Sequence, residues 1–121
     1  MPVSPSHILS IAGTDSIRTT RELLLREQGF MVVSATTPRE ISHVCRRAKF
    51  DLIVVGHAFE DHQKIAIGEV LRKDAPGTPI LEICRVSPVL SNAKYVLRSP
   101  EPQDLVQEVK SIVRELDQAR S

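Results

Sequence analysis

The tightest constraint on the fold is a short run in the middle of the chain, Asp51-Leu52-Ile53-Val54-Val55-Gly56. A strand with one wet face alternates apolar and polar residues. This one does not alternate, so both of its faces must be covered. Such strands sit in parallel sheets with helices on both sides, and parallel neighbours need crossover connections. The flanking sequence supplies them. His7 to Ala12 reads as a strand, and Gly13-Thr14-Asp15-Ser16 as a loop and helix cap. A helix then runs to about Gln28, with Ile17, Leu24 and Leu25 on one face, and Gly29 stops it. Met31 to Ala35 is a second strand. Thr37-Pro38-Arg39-Glu40 is a complete helix start, with Thr37 as N-cap, Pro38 in the first turn and Glu40 closing a capping box. Ile41, Val44, Cys45 and Ala48 follow at helical spacing.

Beyond Gly56 the pattern repeats. A helix is predicted over about 63–73, with Ala66, Ile67, Val70 and Leu71 inward. Pro76-Gly77-Thr78-Pro79 turns the chain, Ile80 to Cys84 forms a fourth strand, and Lys94 to Leu97 a short fifth. The last helix, about 102–116, carries Leu105, Val109, Ile112, Val113 and Leu116 as one stripe. Only Arg85 to Asn92 separates the fourth and fifth strands, and Pro88 interrupts it, so a fourth helix there is shortened or missing. The expectation is an α/β domain with a five-stranded parallel sheet in the flavodoxin-like, doubly wound order 2-1-3-4-5. It should span 7–117, with tails at 1–6 and 118–121.

Composition sets the outer limits. The 121 residues fit one domain, large enough to hold together without a metal or disulfide staple. Net charge is +1, from 16 basic and 15 acidic residues, which gives no bulk basic surface for nucleic acid. The Arg46-Arg47-Lys49 cluster reads as a solvated helix face. Two cysteines are too few for a disulfide framework, and no secretory or membrane-spanning run is visible, so a cytoplasmic protein is expected.

Three segments resemble the receiver domain of bacterial response regulators, in matching order and spacing. Ile8-Leu9-Ser10-Ile11, a loop, Arg18 and a Leu-rich helix ending Gln28-Gly29-Phe30 resemble its opening. Asp51 to Gly56 resembles its third strand, which usually closes on the phosphoacceptor Asp. Ala93-Lys94-Tyr95-Val96-Leu97-Arg98-Ser99-Pro100 resembles its fifth strand and Lys-Pro corner. The likeness runs from His7 to Leu116. It implies the CheY-like fold and a role in two-component signalling, with a histidine kinase, an output domain or another regulator as partner.

The departures fall on the chemistry that the resemblance implies. The magnesium-binding acid pair corresponds to Ala12 and Gly13, the phosphoacceptor to Gly56, the switch Ser/Thr to Cys84 and the corner Lys to Ser99, with Arg98 one place earlier. Phosphoryl transfer to a carboxylate needs that carboxylate and a cation to neutralise the incoming charge. Asp51 is roughly 16 Å from position 56 at ~3.3 Å per strand residue, too far to substitute. The expectation is therefore a pseudo-receiver, not an enzyme, with no cofactor and no metal, that binds a protein partner.

Other candidates are weaker. Asp15 reads as a helix cap, with a crevice contact as the alternative. His57, at the mouth of the strands, is placed for an anion or a pH-sensitive contact. The His57, Glu60, Asp61, His62 cluster fits no zinc spacing. Cys45 reads as core. Cys84, next to Arg85, reads as a small buried hydrophobe rather than a reactive thiol. Two readings stand for the shortened segment. Either Pro88, Val89, Leu90, Tyr95 and Val96 form an apolar partner surface, or the segment folds over the sheet and covers the core. A small-ligand sensor is the alternative function, using a crevice lined by Ala12, Gly13, Gly56, His57 and Cys84, with Arg98 as a further contact.

Overall fold

A computed structural model describes residues 6–120. The expected tail over 1–6 therefore lies, except for Ser6, outside the described residues, as does Ser121. The elements run β1 (His7–Ile11), α1 (Asp15–Glu27), β2 (Met31–Ala35), α2 (Pro38–Arg47), β3 (Leu52–Val55), α3 (Asp61–Asp74), β4 (Ile80–Ile83), β5 (Tyr95–Leu97) and α4 (Pro102–Arg120). All strand pairs are parallel, and the sheet order is β2-β1-β3-β4-β5. No helix among the described residues is long and apolar enough to cross a membrane.

β3 explains why the run without alternation was so constraining. Leu52 and Val54 face one core, with Leu25 of α1 and Leu105, Val109 and Ile112 of α4. Ile53 and Val55 face the other, with Ile41 of α2 and Ile67 and Leu71 of α3. Each residue is fully buried. The period of two splits the run between two helical layers.

The helix boundaries follow local chemistry. Gly29, at φ 92°, takes the left-handed conformation that ends α1. At α2 the Glu40 N–H donates to Thr37 Oγ1 at 3.2 Å, and the Thr37 N–H donates back to Glu40 Oε1 at 3.2 Å. Two expectations need correction. α4 continues to Arg120, so 118–120 is helix rather than tail. α3 begins at Asp61, two residues early, because Gln63 Oε1 accepts the Glu60 N–H at 2.8 Å.

The segment between β4 and β5 contains no helix, and it does cover the core. Leu90 is buried in the α2–α3 layer. It packs on Gly68 of α3, where an added Cβ would stand 2.8 Å from Leu90 Cδ2. Glycine inside a helix costs about 1 kcal/mol relative to alanine. Here it lets the segment lie directly on the helix. Asn92 Nδ2 donates to the Gly68 carbonyl at 3.3 Å, adding a polar tie.

Candidate functional site

The carboxyl ends of β1 and β3 bring Ala12 and Gly56 side by side. Ile11 and Val55 are in register, and the Gly56 N–H donates to the Ile11 carbonyl at 2.9 Å. Neither end opens onto a shared crevice. The loop after β3 lies on Gly13 so closely that an added Cβ would press into the Ala58 carbonyl oxygen. At Gly56 an added Cβ would stand 2.5 Å from Nη1 of Arg21 and 3.1 Å from the Ile11 carbonyl oxygen. A guanidinium thus occupies the volume into which a side chain at position 56 would extend.

Arg21 reaches this place because it sits one turn from both Ile17 and Leu25, on the inward line of α1. It is 4% exposed. Its Nη2 lies 3.0 Å from His57 Nδ1, and His57 Nε2 lies 3.4 Å from Nη2 of Arg85. A guanidinium only donates and a neutral imidazole accepts at one nitrogen, so only one of these two contacts can be a hydrogen bond; we assign the shorter, with Nδ1 accepting from Arg21 and the proton on Nε2. Burial, and then the charges of Arg21, Arg85 and Lys64, push the His57 pKa below its ordinary value, in keeping with that assignment. Burial also lowers the Arg21 pKa. Its Nη1 is buried and has no hydrogen-bond partner. Ser10 and Ser34 are paired in register on the same sheet face as Ile8 and Val32, and their buried hydroxyls also lack partners.

A second group of buried charges lies across the sheet. Lys64 of α3 and Glu82 of β4 are 3% and 0% exposed. Lys64 Nζ donates to Glu82 Oε2 at 2.9 Å and to the Ile83 carbonyl at 2.9 Å. Glu82 also accepts the N–H groups of Val89 at 2.8 Å and Leu90 at 2.9 Å. One carboxylate therefore neutralises a buried ammonium and pins the helix-free segment.

The expected site residues separate accordingly. Cys84 is buried, with its N–H on the Leu97 carbonyl at 2.9 Å. Ser99 Oγ donates to Asp104 Oδ2 at 2.5 Å and accepts the Glu101 N–H at 3.2 Å, which makes it part of the α4 entry. Asp15 is neither cap nor crevice contact. It is the first residue of α1, 91% exposed and paired with Arg18 at 3.1 Å. Arg98 is exposed and lines no part of the mouth, where Arg85 stands instead. The proposed partner surface loses Leu90 to the core. Val89 is half-buried, and Tyr95 packs against the α1–α4 layer, which leaves Pro88 and Val96 exposed. Cys45 is half-buried and packs against the edge of the α2–α3 core, and burial followed by the Asp74 charge raises its thiol pKa. His62 pairs with Glu60 at 3.4 Å while His57 turns to the arginines, so the two imidazoles do not converge.

Arg21 and Lys64 went unnoticed in the sequence because arginine and lysine on an amphipathic helix ordinarily belong to its wet face. The signal was their position. Arg21 falls at i+4 from Ile17, and Lys64 at i−3 and i−7 from Ile67 and Leu71. Glu82 interrupts an otherwise apolar strand.

The groups gathered at the mouth are two guanidiniums and a neutral imidazole, with no carboxylate among them. A magnesium ion needs carboxylate or other oxygen ligands, so these residues do not fit one. Among the described residues, no group of three His, Cys, Asp or Glu side chains is placed to hold a metal ion.

No protein-family model matches the chain, and no curated protein matches it. Solved structures do. A CheY-like response regulator receiver domain protein from Methanospirillum hungatei gives a TM-score of 0.80 at 21% identity, over 96% of this chain and 99% of that one. The chemotaxis response regulator CheY4 of Vibrio cholerae gives 0.75 at 22%, over 89% and 98%. The response regulator protein TrrA from Thermotoga maritima, in complex with Mg(2+)-BeF, gives 0.72 at 19%, over 92% and 98%. Together with the strand order, these likenesses establish that the chain has the CheY-like receiver fold of two-component response regulators.

Proposed function

We propose that this protein is a phosphorylation-independent pseudo-receiver, acting as a protein-interaction module in a two-component-type pathway of the cytoplasm. The observation that carries the reading is the Arg21 guanidinium in the volume beside Gly56. An aspartyl phosphate would need a carboxylate at that place and a divalent cation beside it. Ala12, Gly13 and Gly56 supply no carboxylate, and a fixed cation stands there instead. The partner is a histidine kinase, an output domain or another regulator. The exposed side chains of Val86, Pro88 and Val96 lie on or beside the rebuilt β4–β5 segment and are available to it.

The test is fluorine NMR of the chain with magnesium and beryllofluoride. The expected result is no bound fluorine resonance and no amide shift at Gly56. A stable complex would overturn the reading. A second reading, a sensor of a small ligand, is favoured by the cationic hollow beside α1.

A further inference from the structure

We infer that the hollow between the start of α1 and the α4 entry is a binding site for a compact oxyanion, with a phosphate group as the matching class. The inference deepens the proposed function and rests on its reading of the mouth as a site that is not phosphorylated.

The hollow has a volume of about 240 Å³ and is walled by Ser16, Ile17, Thr20, Arg21, His57 and the prolines 100 and 102. That is below the roughly 300–1,000 Å³ of sites for drug-sized ligands, so it suits an ion of a few atoms or one phosphate group. Its polar lining is one-sided. Arg21 is nine-tenths buried, and its Nη1 has no partner. No carboxylate pairs with Arg21 or Arg85 among the described residues. A buried cation without a counter-charge is costly, and an unsatisfied buried donor adds to that cost.

The imidazole sharpens the argument. With Nδ1 accepting from Arg21, the Nε2–H of His57 and the Nη2 of Arg85 direct donors at each other across 3.4 Å. An oxygen of an anion can accept from both, whereas neither can accept from the other. The first turn of α1 contributes a third set of donors. Ser16 and Ile17 line the hollow, and the leading amides of a helix have no intrahelical acceptor. Arg21, His57 and the first turn of α1 all line the hollow, and Arg85 stands beyond the imidazole. A tetrahedral oxyanion with several acceptor oxygens meets these donors better than a single carboxylate does.

Thermal unfolding of the whole chain in sodium phosphate, against sodium chloride at equal ionic strength, tests the inference. The expected result is a saturable rise in Tm with phosphate. Arg21→Gln should abolish it, and Arg85→Gln should weaken the apparent affinity about tenfold, the loss expected for one charge-assisted contact. Arg47→Gln, at the exposed end of α2, should leave it intact. If Arg21→Gln does not fold, Arg85→Gln carries the test, together with phosphate-dependent amide shifts at Ser16, Ile17 and His57. Glycerol 3-phosphate distinguishes the sources. Binding tighter than inorganic phosphate assigns a phosphomonoester metabolite, and weaker binding assigns the free ion. An equal rise in chloride, or a phosphate effect that survives both substitutions, overturns the inference while leaving the pseudo-receiver reading in place. A beryllofluoride complex overturns both.

Discussion

Lys64 and Arg21 are both long cations on amphipathic helices, and both are almost wholly buried, at 3% and 4% exposure. Lys64 meets a carboxylate at 2.9 Å and a backbone carbonyl at 2.9 Å. Arg21 meets a neutral imidazole at 3.0 Å and leaves one nitrogen unpartnered. The first arrangement is closed: the ammonium has a counter-charge and a carbonyl, and the carboxylate also holds two backbone N–H groups. The second is open, with donors from two arginines and a histidine and no negative charge. A closed buried network reports on architecture. An open one stores a demand for a ligand.

Substitutions that treat the two sites alike should therefore give opposite results. The largest effect is expected at Glu82→Gln, which strands the buried Lys64 ammonium and weakens the hold on Val89 and Leu90. A loss of about 3–5 kcal/mol should appear in urea unfolding, as for other buried pairs broken on one side. A loss below about 1 kcal/mol would mean that Lys64 reaches water and that the site is not closed. Next is Leu90→Ala, with a cost of at least about 2 kcal/mol if the segment is core. An unchanged urea midpoint would return Leu90 to the partner-surface reading.

Arg21→Met should fall within about 1 kcal/mol of the parent in phosphate-free buffer, or be more stable, because it removes an uncompensated buried charge and keeps most of the packing. A large loss would show that Arg21 is a structural strut like Lys64, and the comparison would collapse. The smallest effect belongs to His57. Its folded pKa lies below the unfolded value, so the unfolded chain takes up a proton that the folded chain refuses. Stability is then level above about pH 6.5 and declines as the pH falls below it, until the folded pKa is passed. His57→Gln should flatten that part of the wild-type profile. Identical slopes in the two proteins would place His57 outside the cationic cluster.

The fold was readable because its signals are repeated. An unbroken β3, a capping box at Thr37, Gly29 after α1 and the stripe along α4 each constrain the same topology. The short span from Arg85 to Asn92, interrupted by Pro88, was enough to predict that no full helix precedes β5. The site was only half readable. Glycine at position 56 is visible in the sequence, but the guanidinium that fills its place comes from 35 residues away in a helix whose charged residues look solvated. The choice between Arg85 and Arg98 at the mouth depended on where the chain turns after β4, which no local pattern sets. The two readings of Leu90 could be separated only by the carboxylate of Glu82, whose side chain points into the layer where Leu90 packs.

The close approach of Arg21 to Gly56 also bears on how these two positions vary through descent. The guanidinium and any side chain at position 56 compete for one volume, so neither site is free to drift alone. Related sequences with a larger residue at 56 are expected to carry a shorter or outward-turned residue at 21, and the pair should covary while their sequence neighbours do not. A lineage acquiring an acid at 56 would first have to vacate position 21, so a change at one codon would not suffice.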